Sequence, residues 1–427
     1  MKSVAFFTLG CKVNQYETES IIDSFVNKGY EIKAFDQKAD VYVVNTCSVT
    51  ALADRKSRTA LRKARKQNPD ATIVVCGCYS QTHPEDVKEI PEADIILGNT
   101  GKENIVSLVE EKENRFFVTD IMEERIFAEN SVSGHSDKTR AFMKIQDGCD
   151  NYCAYCIIPY ARGHIRSRDM ESIVREAKKF VKNGYKEIVL TGIHITSYGK
   201  ETGDKNLLDV LKMLHSIEGI RRIRLGSLEY NDALIDVANH ADELPLLCNH
   251  FHVSLQSGCD ETLKRMRRRY TTSEYFEGIS LLRKAFPNCA ITTDIMVGFP
   301  GETQEEFEKS LAFAKKAEFS KMHIFPYSVR EGTKAADMPN QLNKEEKKKR
   351  ASLMENTDRE NAEKFMKSQR GTFQSVLFET KDGDYYIGHT TNYLTVKVKS
   401  DMDLHNEILQ VKITGYSKDT ITGEIIY

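Results

Sequence analysis

Short apolar runs alternate with amphipathic stretches over the first third of the chain. The runs predict four β-strands: Val4 to Leu9, Val41 to Asn45, Thr72 to Cys76 and Ile95 to Leu97. Because stretches with helical periodicity separate these runs, the pattern predicts βαβ units and an open parallel sheet. We therefore predict an N-terminal α/β domain over residues 1–125.

The same alternation resumes after a polar segment. Residues 129–140 (ENSVSGHSDKTR) lack apolar periodicity and are rich in Ser, Gly and charge, which predicts a linker. Six more strands are predicted beyond it: Phe142 to Ile145, Ile188 to Leu190, Ile223 to Leu225, Phe251 to Leu255, Ile291 to Val297 and Lys321 to Phe325. Six βα repeats predict a partial (β/α)6 barrel, which we place at residues 140–368.

The pattern changes near the C-terminus. Residues 343–370 are highly charged with spaced Leu, Met and Phe, which predicts a long surface helix that leaves the barrel. Strand-like alternation between Gly and Asp turns then follows at Gln374 to Phe378, Tyr385 to His389, Leu394 to Val398 and Ile408 to Ile413. This predicts a small antiparallel β-barrel over residues 371–427. The predicted fold class is thus α/β with three units.

Charge and composition limit how the protein could bind a polyanion, where in the cell it is expected and what its cysteines do. The 427 residues carry a formal net charge of -2, so a polyanion would have to be bound by local basic patches. No signal peptide and no apolar run of about 18 residues occurs, so we expect a cytoplasmic protein without a membrane partner. In a reducing cytosol the ten cysteines favour metal ligation, redox chemistry or burial over disulfides.

Three cysteines form a CxxxCxxC motif directly after the first strand of the central unit: Cys149, Cys153 and Cys156. A structural zinc site would need a fourth ligand at a typical spacing, and none follows. Three thiolates can hold a four-iron cluster and leave one iron open, and the amino and carboxylate groups of S-adenosylmethionine fit that open corner. The motif therefore predicts radical chemistry, with chance or buried cysteines as the alternative.

A second triplet is spread along the N-terminal unit. Cys11, Cys47 and Cys78 each follow a predicted strand. Carboxyl ends of parallel strands share one edge of a sheet, so these thiols are predicted to converge on a second cluster. Cys76 lies within its strand and is predicted to belong to the core, and the isolated Cys248, Cys259 and Cys289 are predicted to be packing residues.

Weaker candidates lie at the carboxyl ends of the barrel strands, where active sites of barrels form. We predict contacts with S-adenosylmethionine from Thr191, Gly192, Ser227, Glu229, Gln256 and Ser257. The ordinary alternative for each is a loop residue that satisfies backbone hydrogen bonds. Two basic runs, at residues 55–66 and 264–270, could bind phosphates of a nucleic acid or could be solvated helix surface.

Four motifs give the chain a specific resemblance: LGCKVNQYETE (9–19), NTCSVT (45–50), GCYSQ (77–81) and GCDNYCAYCIIPYARG (148–163). With TGIHITSYG (191–199), SLQSG (254–258), LKRMRRRYT (263–271), DIMVGFPGET (294–303) and FPYSVREGT (325–333), they span nearly the whole chain. The sequence resembles the radical S-adenosylmethionine methylthiotransferases. This resemblance implies one four-iron cluster on each triplet, with Cys78 and not Cys76 as the third ligand of the N-terminal one. It also implies that the terminal barrel is similar to a TRAM domain.

The resemblance also implies a reaction and partners. The expected substrate is N6-threonylcarbamoyladenosine next to the anticodon of tRNA, which would receive sulfur and a methyl group at carbon 2 of the adenine. Two S-adenosylmethionines would be consumed, and the tRNA anticodon loop would enter between the two cluster sites. A reductant such as flavodoxin or ferredoxin is expected, and the sulfur donor is left open.

Three other functions compete with this one. A related branch methylthiolates an aspartate of a ribosomal protein, and LGCKVNQYE and CIIPYARG favour the tRNA branch over it. A second tRNA branch acts on isopentenyladenosine and is separated only by motif resemblance. An iron–sulfur electron carrier that binds RNA is the alternative from another class, but a carrier normally closes each cluster with four cysteines.

Overall fold

The computed structural model describes residues 1–48, 51–111, 116–129, 131–132 and 139–426. Among the helices in those ranges, none combines the length and the apolar character that a membrane crossing requires. Most of the predicted linker at 129–140 lies outside the described residues.

The N-terminal unit is a six-stranded parallel sheet with helices on both faces. Its strands are β1 (Ser3–Thr8), β2 (Glu31–Lys33), β3 (Val41–Thr46), β4 (Thr72–Gly77), β5 (Ile95–Leu97) and β6 (Phe116–Phe117). Its helices are α1 (Lys12–Asn27), α2 (Ala51–Gln67), α3 (Cys78–Thr82), α4 (Pro84–Lys88) and α5 (Ile105–Glu111). The strand order is β2-β1-β3-β4-β5-β6, so the predicted open parallel sheet is confirmed.

Alternating side chains of the central strands explain why this sheet is covered on both faces. On β3, Val43 packs with Phe25 of α1 in one core, whereas Val44 packs with Leu61 of α2 in the other. The two edge strands, β2 and β6, were not predicted. They are only three and two residues long and are largely exposed, so they carry little hydrophobic signal.

The central unit is a partial barrel with helices outside it. Its strands are β7 (Arg140–Asp147), β8 (Arg166–Ser167), β9 (Glu187–Gly192), β10 (Arg222–Leu225), β11 (Ser227–Leu228), β12 (His250–Val253), β13 (Ala290–Val297) and β14 (Lys321–Pro326). Its helices are α6 (Ile158–Arg162), α7 (Met170–Lys182), α8 (Leu207–His215), α9 (Asp232–Asn239), α10 (Asp260–Arg265), α11 (Thr272–Ala285) and α12 (Gln304–Ala317). All six predicted strands are present.

These strands form two four-stranded sheets in the orders β10-β9-β7-β8 and β11-β12-β13-β14. All neighbours are parallel except β7 and the short β8. The sheets join where β10 runs through Gly226 into β11, and the Ile223 amide donates to the carbonyl of Leu246 at 2.8 Å. The result is one curved wall around a shared interior.

The charged segment after the barrel forms one long helix, α13 (Lys344–Ser368), which begins at Asn343, whose side chain accepts a hydrogen bond from the Glu346 amide. The helix does not leave the barrel as predicted. Met354 is fully buried in the barrel core, and Asp358 accepts a 2.6 Å hydrogen bond from the Met322 amide of β14. The helix therefore covers the edge strand of the barrel, with Ala351 and Met354 buried and Leu353 exposed.

The last unit is a closed barrel of five strands: β15 (Phe373–Asp382), β16 (Tyr385–Thr390), β17 (Thr395–Lys399), β18 (Ile408–Ser417) and β19 (Thr420–Ile425). The predicted small barrel is confirmed, with two refinements. The fifth strand, β19, was not predicted, and it pairs in parallel with β17 while the other pairs are antiparallel.

The small barrel docks on the amino ends of the central strands. Arg224 of β10 donates to the carbonyl of Thr391 at 2.9 Å and is paired with Glu187 of β9 at 2.7 Å. The ring of Tyr393 lies 4.9 Å from that of His250 at the start of β12. The N-terminal unit packs near the opposite end, where α3 meets α6. The predicted domain limits at 1–125, 140–368 and 371–427 stay a prediction.

Candidate active site

The three N-terminal cysteines converge at the carboxyl edge of the sheet. Cys11 immediately precedes α1, Cys47 follows β3, and Cys78 begins α3. Gly10 adopts a positive φ of +100°, and a Cβ atom there would lie only 2.9 Å from the Cys47 sulfur. Burial raises the pKa of the Cys11 thiol, the nearby Arg162 lowers it, and the Cys78 thiol raises it. The three thiols are thus close neighbours.

The Cys78 side of this triplet abuts the barrel. Asn99 places its side-chain amide 3.6 Å from the Cys78 sulfur and donates to the carbonyl of Ala161 at 2.7 Å. Ala161 belongs to α6, which starts two residues after Cys156 of the other triplet. The two cysteine triplets therefore lie on either side of one interface.

A buried group of charges holds that interface together. We call this group the interface ion cluster; it consists of Glu17, Lys102, Lys144, Asp147 and Arg162. Glu17 of the N-terminal unit is paired with Lys144 of β7 at 2.8 Å and with Arg162 of α6. Burial raises the pKa of Glu17, but Arg162, Lys102 and Lys144 together hold it well below its usual value. Three cations thus neutralise two buried carboxylates beside the thiols.

A second contact fixes the segment that carries Cys47. Arg330, which follows β14, is paired with Asp54 of α2 at 2.8 Å and donates to the carbonyl of Ser48 at 3.0 Å. Arg330 is only 8% exposed, so this barrel residue is built into the N-terminal unit. It therefore ties the position of Cys47 to the barrel.

The second triplet sits on the loop after β7. The Cys149 amide donates to the carbonyl of Gly163 at 3.0 Å, and the Cys156 amide donates to that of Cys153 at 3.0 Å. Gly148 has a positive φ of +72°, and a Cβ atom there would collide with the carbonyl of His164. These contacts fold the loop back on itself, so that the three thiols interact with one another.

Burial keeps Cys149 and Cys156 protonated unless a cation binds to them. Burial raises the pKa of Cys149 to about 12, and the neighbouring Cys153 thiol contributes to the rise. Burial also raises the pKa of Cys156, and Cys153 again contributes. Thiols in such a group form thiolates when a cation is bound to them. No disulfide links any of the ten cysteines.

One buried arginine contacts the barrel triplet. Arg268 places a guanidinium nitrogen 3.4 Å from the Cys153 sulfur and is paired with Glu229 at 2.9 Å. Glu229 also lies 3.4 Å from His194 and accepts a 3.0 Å hydrogen bond from Asn151. Burial raises the pKa of Glu229, but Arg268 and the other donors hold it at about 2. Glu229 is therefore a charged group beside the triplet.

The remaining cysteines lie elsewhere. Cys76 is fully buried in the core of the N-terminal sheet, and Cys289 belongs to the core of the barrel. Cys248 and Cys259 are also buried. These positions agree with the packing roles expected for them.

A cavity of about 940 Å³ lies inside the barrel and reaches all three units. Cys11 and Lys12 enter it from the N-terminal unit, and Tyr393 enters it from the small barrel. Burial lowers the pKa of Lys12 in this interior. The loop that begins α1 therefore opens directly into the central barrel.

The six predicted contacts with S-adenosylmethionine fall into two groups. Thr191, Gly192 and Ser227 line the cavity. Glu229, Gln256 and Ser257 do not line it. Gln256 has a positive φ of +72°, and Ser257 is fully buried and accepts a 3.3 Å hydrogen bond from the Cys259 amide. Their contact with a cofactor stays a prediction.

The two basic runs differ in the structure. In the run at 264–270, Arg265 is paired with Glu306, Arg268 with Glu229, and Arg269 donates to the carbonyl of Asp150. In the run at 55–66, the side chains of Arg55, Lys56, Lys63 and Lys66 are exposed on α2. Lys264 and Arg267 of the other run are exposed as well, so the run at 55–66 offers the larger set of exposed cations to a polyanion.

Several residues of this site were not singled out from the sequence as site residues. They are Lys12, Glu17, Asn99, Lys102, Lys144, Asp147, Arg162 and Arg330. Two signals were available: Lys144 and Asp147 interrupt an apolar strand, and Lys12, Glu17 and Arg162 lie within the motifs that carry the cysteines.

Comparison with family models gives two matches. Residues 143–314 match the radical SAM superfamily, and residues 3–98 match a family described as uncharacterized protein family UPF0004. The first region covers most of the central barrel up to α12, and the second covers the N-terminal sheet up to β5.

Comparison with curated proteins gives full-length relatives. Threonylcarbamoyladenosine tRNA methylthiotransferase MtaB of Bacillus subtilis is 43% identical over 97% of this chain and 95% of its own length. The chain belongs to the radical S-adenosylmethionine methylthiotransferase family. A tRNA-2-methylthio-N(6)-dimethylallyladenosine synthase of Sulfurihydrogenibium sp. is 34% identical over 98% of both chains.

Solved structures agree on the fold. The radical S-adenosylmethionine methyltransferase TsrM from Kitasatospora setae, with tryptophan and a SAM analogue bound, aligns with a TM-score of 0.59 over 90% of this chain and 79% of its own. At 14% identity this likeness concerns the fold alone.

Proposed function

We propose that this protein is a radical enzyme that adds a methylthio group to carbon 2 of N6-threonylcarbamoyladenosine in tRNA. One observation carries the proposal: two separate cysteine triplets flank a single interface, and the loop of one of them, at Cys11, opens into the cavity of the barrel that carries the other. A shared space is what a reaction needs when sulfur and radical come from different sites.

The chemistry follows from the two donor sets. Four-iron clusters bound by Cys149, Cys153 and Cys156 and by Cys11, Cys47 and Cys78 would supply, respectively, the electron that cleaves S-adenosylmethionine and the site that carries sulfur. Arg268 and Asn99 donate toward one sulfur of each triplet. The interface ion cluster holds the two cysteine-bearing loops in fixed positions relative to each other. Residues around metal ligands commonly orient the ligands in this way.

The lining of the cavity favours a polar substrate. Lys12, His250, His252, Asp294 and His323 all line it. A threonylcarbamoyl group carries a carboxylate and a hydroxyl, whereas the dimethylallyl group of the alternative substrate is apolar. The ammonium group of Lys12 can pair with that carboxylate, whereas an apolar group would bury this ammonium without compensation, at a cost of about 1–3 kcal/mol. The threonylcarbamoyl nucleoside is therefore the better match.

The exposed cations of α2 suit the backbone of the tRNA. They lie on the helix that follows Cys47, next to the N-terminal triplet. The anticodon loop would approach from this side, with its target base turned out of the stack into the cavity. The electron would come from flavodoxin or ferredoxin in the cytoplasm, and the TRAM-like barrel adds a second surface for RNA.

The test uses three tRNAs that differ at one nucleoside. The protein is reconstituted anaerobically and incubated with reductant, S-adenosylmethionine and tRNA that carries threonylcarbamoyladenosine, isopentenyladenosine or unmodified adenosine at that position. Mass spectrometry of the digested tRNA should show a methylthio derivative only of threonylcarbamoyladenosine. A methylthio product of isopentenyladenosine alone would assign the other branch, and cleavage of S-adenosylmethionine without any tRNA product would redirect the search to a protein substrate.

A further inference from the structure

Two histidines and one aspartate meet on the wall of the barrel cavity, away from both cysteine triplets in the sequence. His252 lies on β12, Asp294 on β13, and His323 on β14, three neighbouring parallel strands. One nitrogen or oxygen atom of each residue lies within 4.8 Å of those of the other two. All three residues line the cavity. The three residues form no motif in the sequence, because they are spaced by 42 and 29 residues.

The distances within the trio resemble those between ligands of one metal ion. Nε2 of His252 lies 3.2 Å from one oxygen of Asp294, and Nδ1 of His323 lies 3.3 Å from the other. Charge-assisted hydrogen bonds are shorter, about 2.7–2.9 Å. Two ligand atoms each about 2.0–2.1 Å from a tetrahedral metal ion lie roughly 3.3–3.4 Å apart. Each imidazole nitrogen therefore lies at the spacing of two metal ligands from its nearer Asp294 oxygen, and the three groups meet within 4.8 Å.

The surroundings of His252 add a second feature of metal sites. Its other ring nitrogen, Nδ1, lies 3.0 Å from the hydroxyl of Thr292, which in turn lies 3.1 Å from Nε2 of His250. Metal-binding histidines almost always use their second nitrogen in such a hydrogen bond, which fixes the ring and its tautomer. In the tautomer that donates Nδ1–H to Thr292, the lone pair of Nε2 faces Asp294 and can bind an ion.

A simple ion-pair network fits the same geometry less well. If both imidazoles were charged, two cations would be stacked with ring centroids 5.4 Å apart, and one carboxylate would have to balance both. With a bound cation, both imidazoles are neutral ligands and the carboxylate is shared by the ion.

We propose that His252, Asp294 and His323 bind a divalent transition-metal ion such as Zn²⁺, as a metal centre separate from the two cysteine triplets. Two imidazoles and a carboxylate are a ligand set that such ions accept. Three protein ligands leave a further coordination position, which is typical of open rather than structural sites. This position faces the cavity, so it would take water or an oxygen atom of the molecule bound there.

The test measures zinc on protein that carries both clusters, so that the cysteines are not free to bind it. The reconstituted protein is equilibrated anaerobically with Zn²⁺ and desalted, and zinc and iron are measured separately by mass spectrometry. We expect one zinc per chain in addition to the iron. In His252→Gln and in Asp294→Asn, zinc affinity should fall at least about 100-fold, with iron and sulfide unchanged. His405→Gln, at an exposed position on the small barrel, is the matched control and should keep the zinc.

X-ray absorption at the zinc edge identifies the atoms bound to zinc in the wild-type protein, without any variant. Nitrogen and oxygen ligands alone would support the site, whereas sulfur ligands would place the zinc in a cysteine triplet and overturn it. Wild-type protein that retains no more zinc than Asp294→Asn would overturn it as well. None of these outcomes depends on tRNA modification, so the metal site and the proposed function can fail separately.

Discussion

The two cysteine triplets are brought together in opposite ways, although each forms a three-thiol site. In the barrel, Cys149 and Cys156 are seven residues apart on one loop, which its own backbone hydrogen bonds fold. In the N-terminal unit, Cys11 and Cys78 come from different strands and meet only because a parallel sheet aligns its strand ends. The first site is local, and the second depends on the whole sheet.

Their surroundings differ accordingly. Among the charged residues near the barrel triplet, Arg268 contacts the Cys153 sulfur and is paired with Glu229. The N-terminal triplet has a neutral donor, Asn99, and depends on the interface ion cluster and on Arg330 to keep its loops in place. The N-terminal site should therefore be the more sensitive of the two to changes at the interface.

The largest expected effects come from removing one ligand of each triplet in turn. Cys153→Ala should abolish cleavage of S-adenosylmethionine, because the radical cluster loses a ligand. Cys78→Ala should keep the cleavage and abolish only the methylthio product. Release of 5′-deoxyadenosine and the mass of the tRNA nucleoside, measured on the same samples, check both statements. Loss of cleavage in both variants would contradict the division of roles.

The next effect tests the interface ion cluster. Glu17→Gln leaves Lys102, Lys144 and Arg162 short of a buried counter-charge, which should lower the free energy of unfolding by about 3–5 kcal/mol. Denaturant unfolding under anaerobic conditions measures the change, and Glu89→Gln at an exposed position is the control.

Iron retention sharpens the same prediction. In Glu17→Gln, the N-terminal triplet should lose iron before the barrel triplet does, so methylthio product should fall more than cleavage of S-adenosylmethionine. A loss of stability under about 1 kcal/mol would mean that the cluster contributes little to holding the two units together.

The strong strands and the CxxxCxxC loop could be predicted because their signals are local. The continuous burial of β3, for example, is visible directly in the apolar run of VYVVNT. The N-terminal triplet could also be predicted, but only through the rule that strand ends share one edge. The short edge strands β2 and β6 could not, because pairing with a neighbour creates them and their own residues are not distinctive.

The residues that connect the units could not be predicted from the sequence, for a different reason. Glu17 and Arg162 are 145 residues apart, and nothing in either segment shows that they pair. The packing of α13 was misjudged because its charged composition hides Met354 and Asp358, which bind it to β14. Contacts between units are decided by docking, which pattern analysis along one chain does not describe.

A smaller effect concerns the donors to sulfur. Asn99→Ala removes a neutral donor from the N-terminal triplet, and Arg268→Gln removes a charged one from the barrel triplet. Both should lower the reduction potential of the cluster concerned by tens of millivolts, more for Arg268, because a donor to sulfur stabilises the reduced cluster. Redox titration followed by electron paramagnetic resonance measures each shift.

Arg268→Lys retains the positive charge and is the control for this experiment. Its reduction potential should lie closer to that of the wild type than to that of Arg268→Gln. Equal shifts in the two variants would show that shape at this position matters more than charge.

The smallest effect should come from the exposed face of α2. The double variant Lys63→Ala/Lys66→Ala should weaken tRNA binding and reduce the slope of log affinity against log salt by about 2, since each cation contacts about one phosphate. Filter binding over a salt series measures the slope. Lys348→Ala/Lys349→Ala on α13 removes the same charge and should leave the slope unchanged; equal effects would indicate non-specific attraction.

The most direct test of two separate three-thiol sites is the iron and sulfide content of three proteins reconstituted side by side. Wild type should hold about eight irons per chain, and Cys78→Ala and Cys153→Ala should each hold about four. About four irons in the wild type, or near-complete loss in either single variant, would contradict the account.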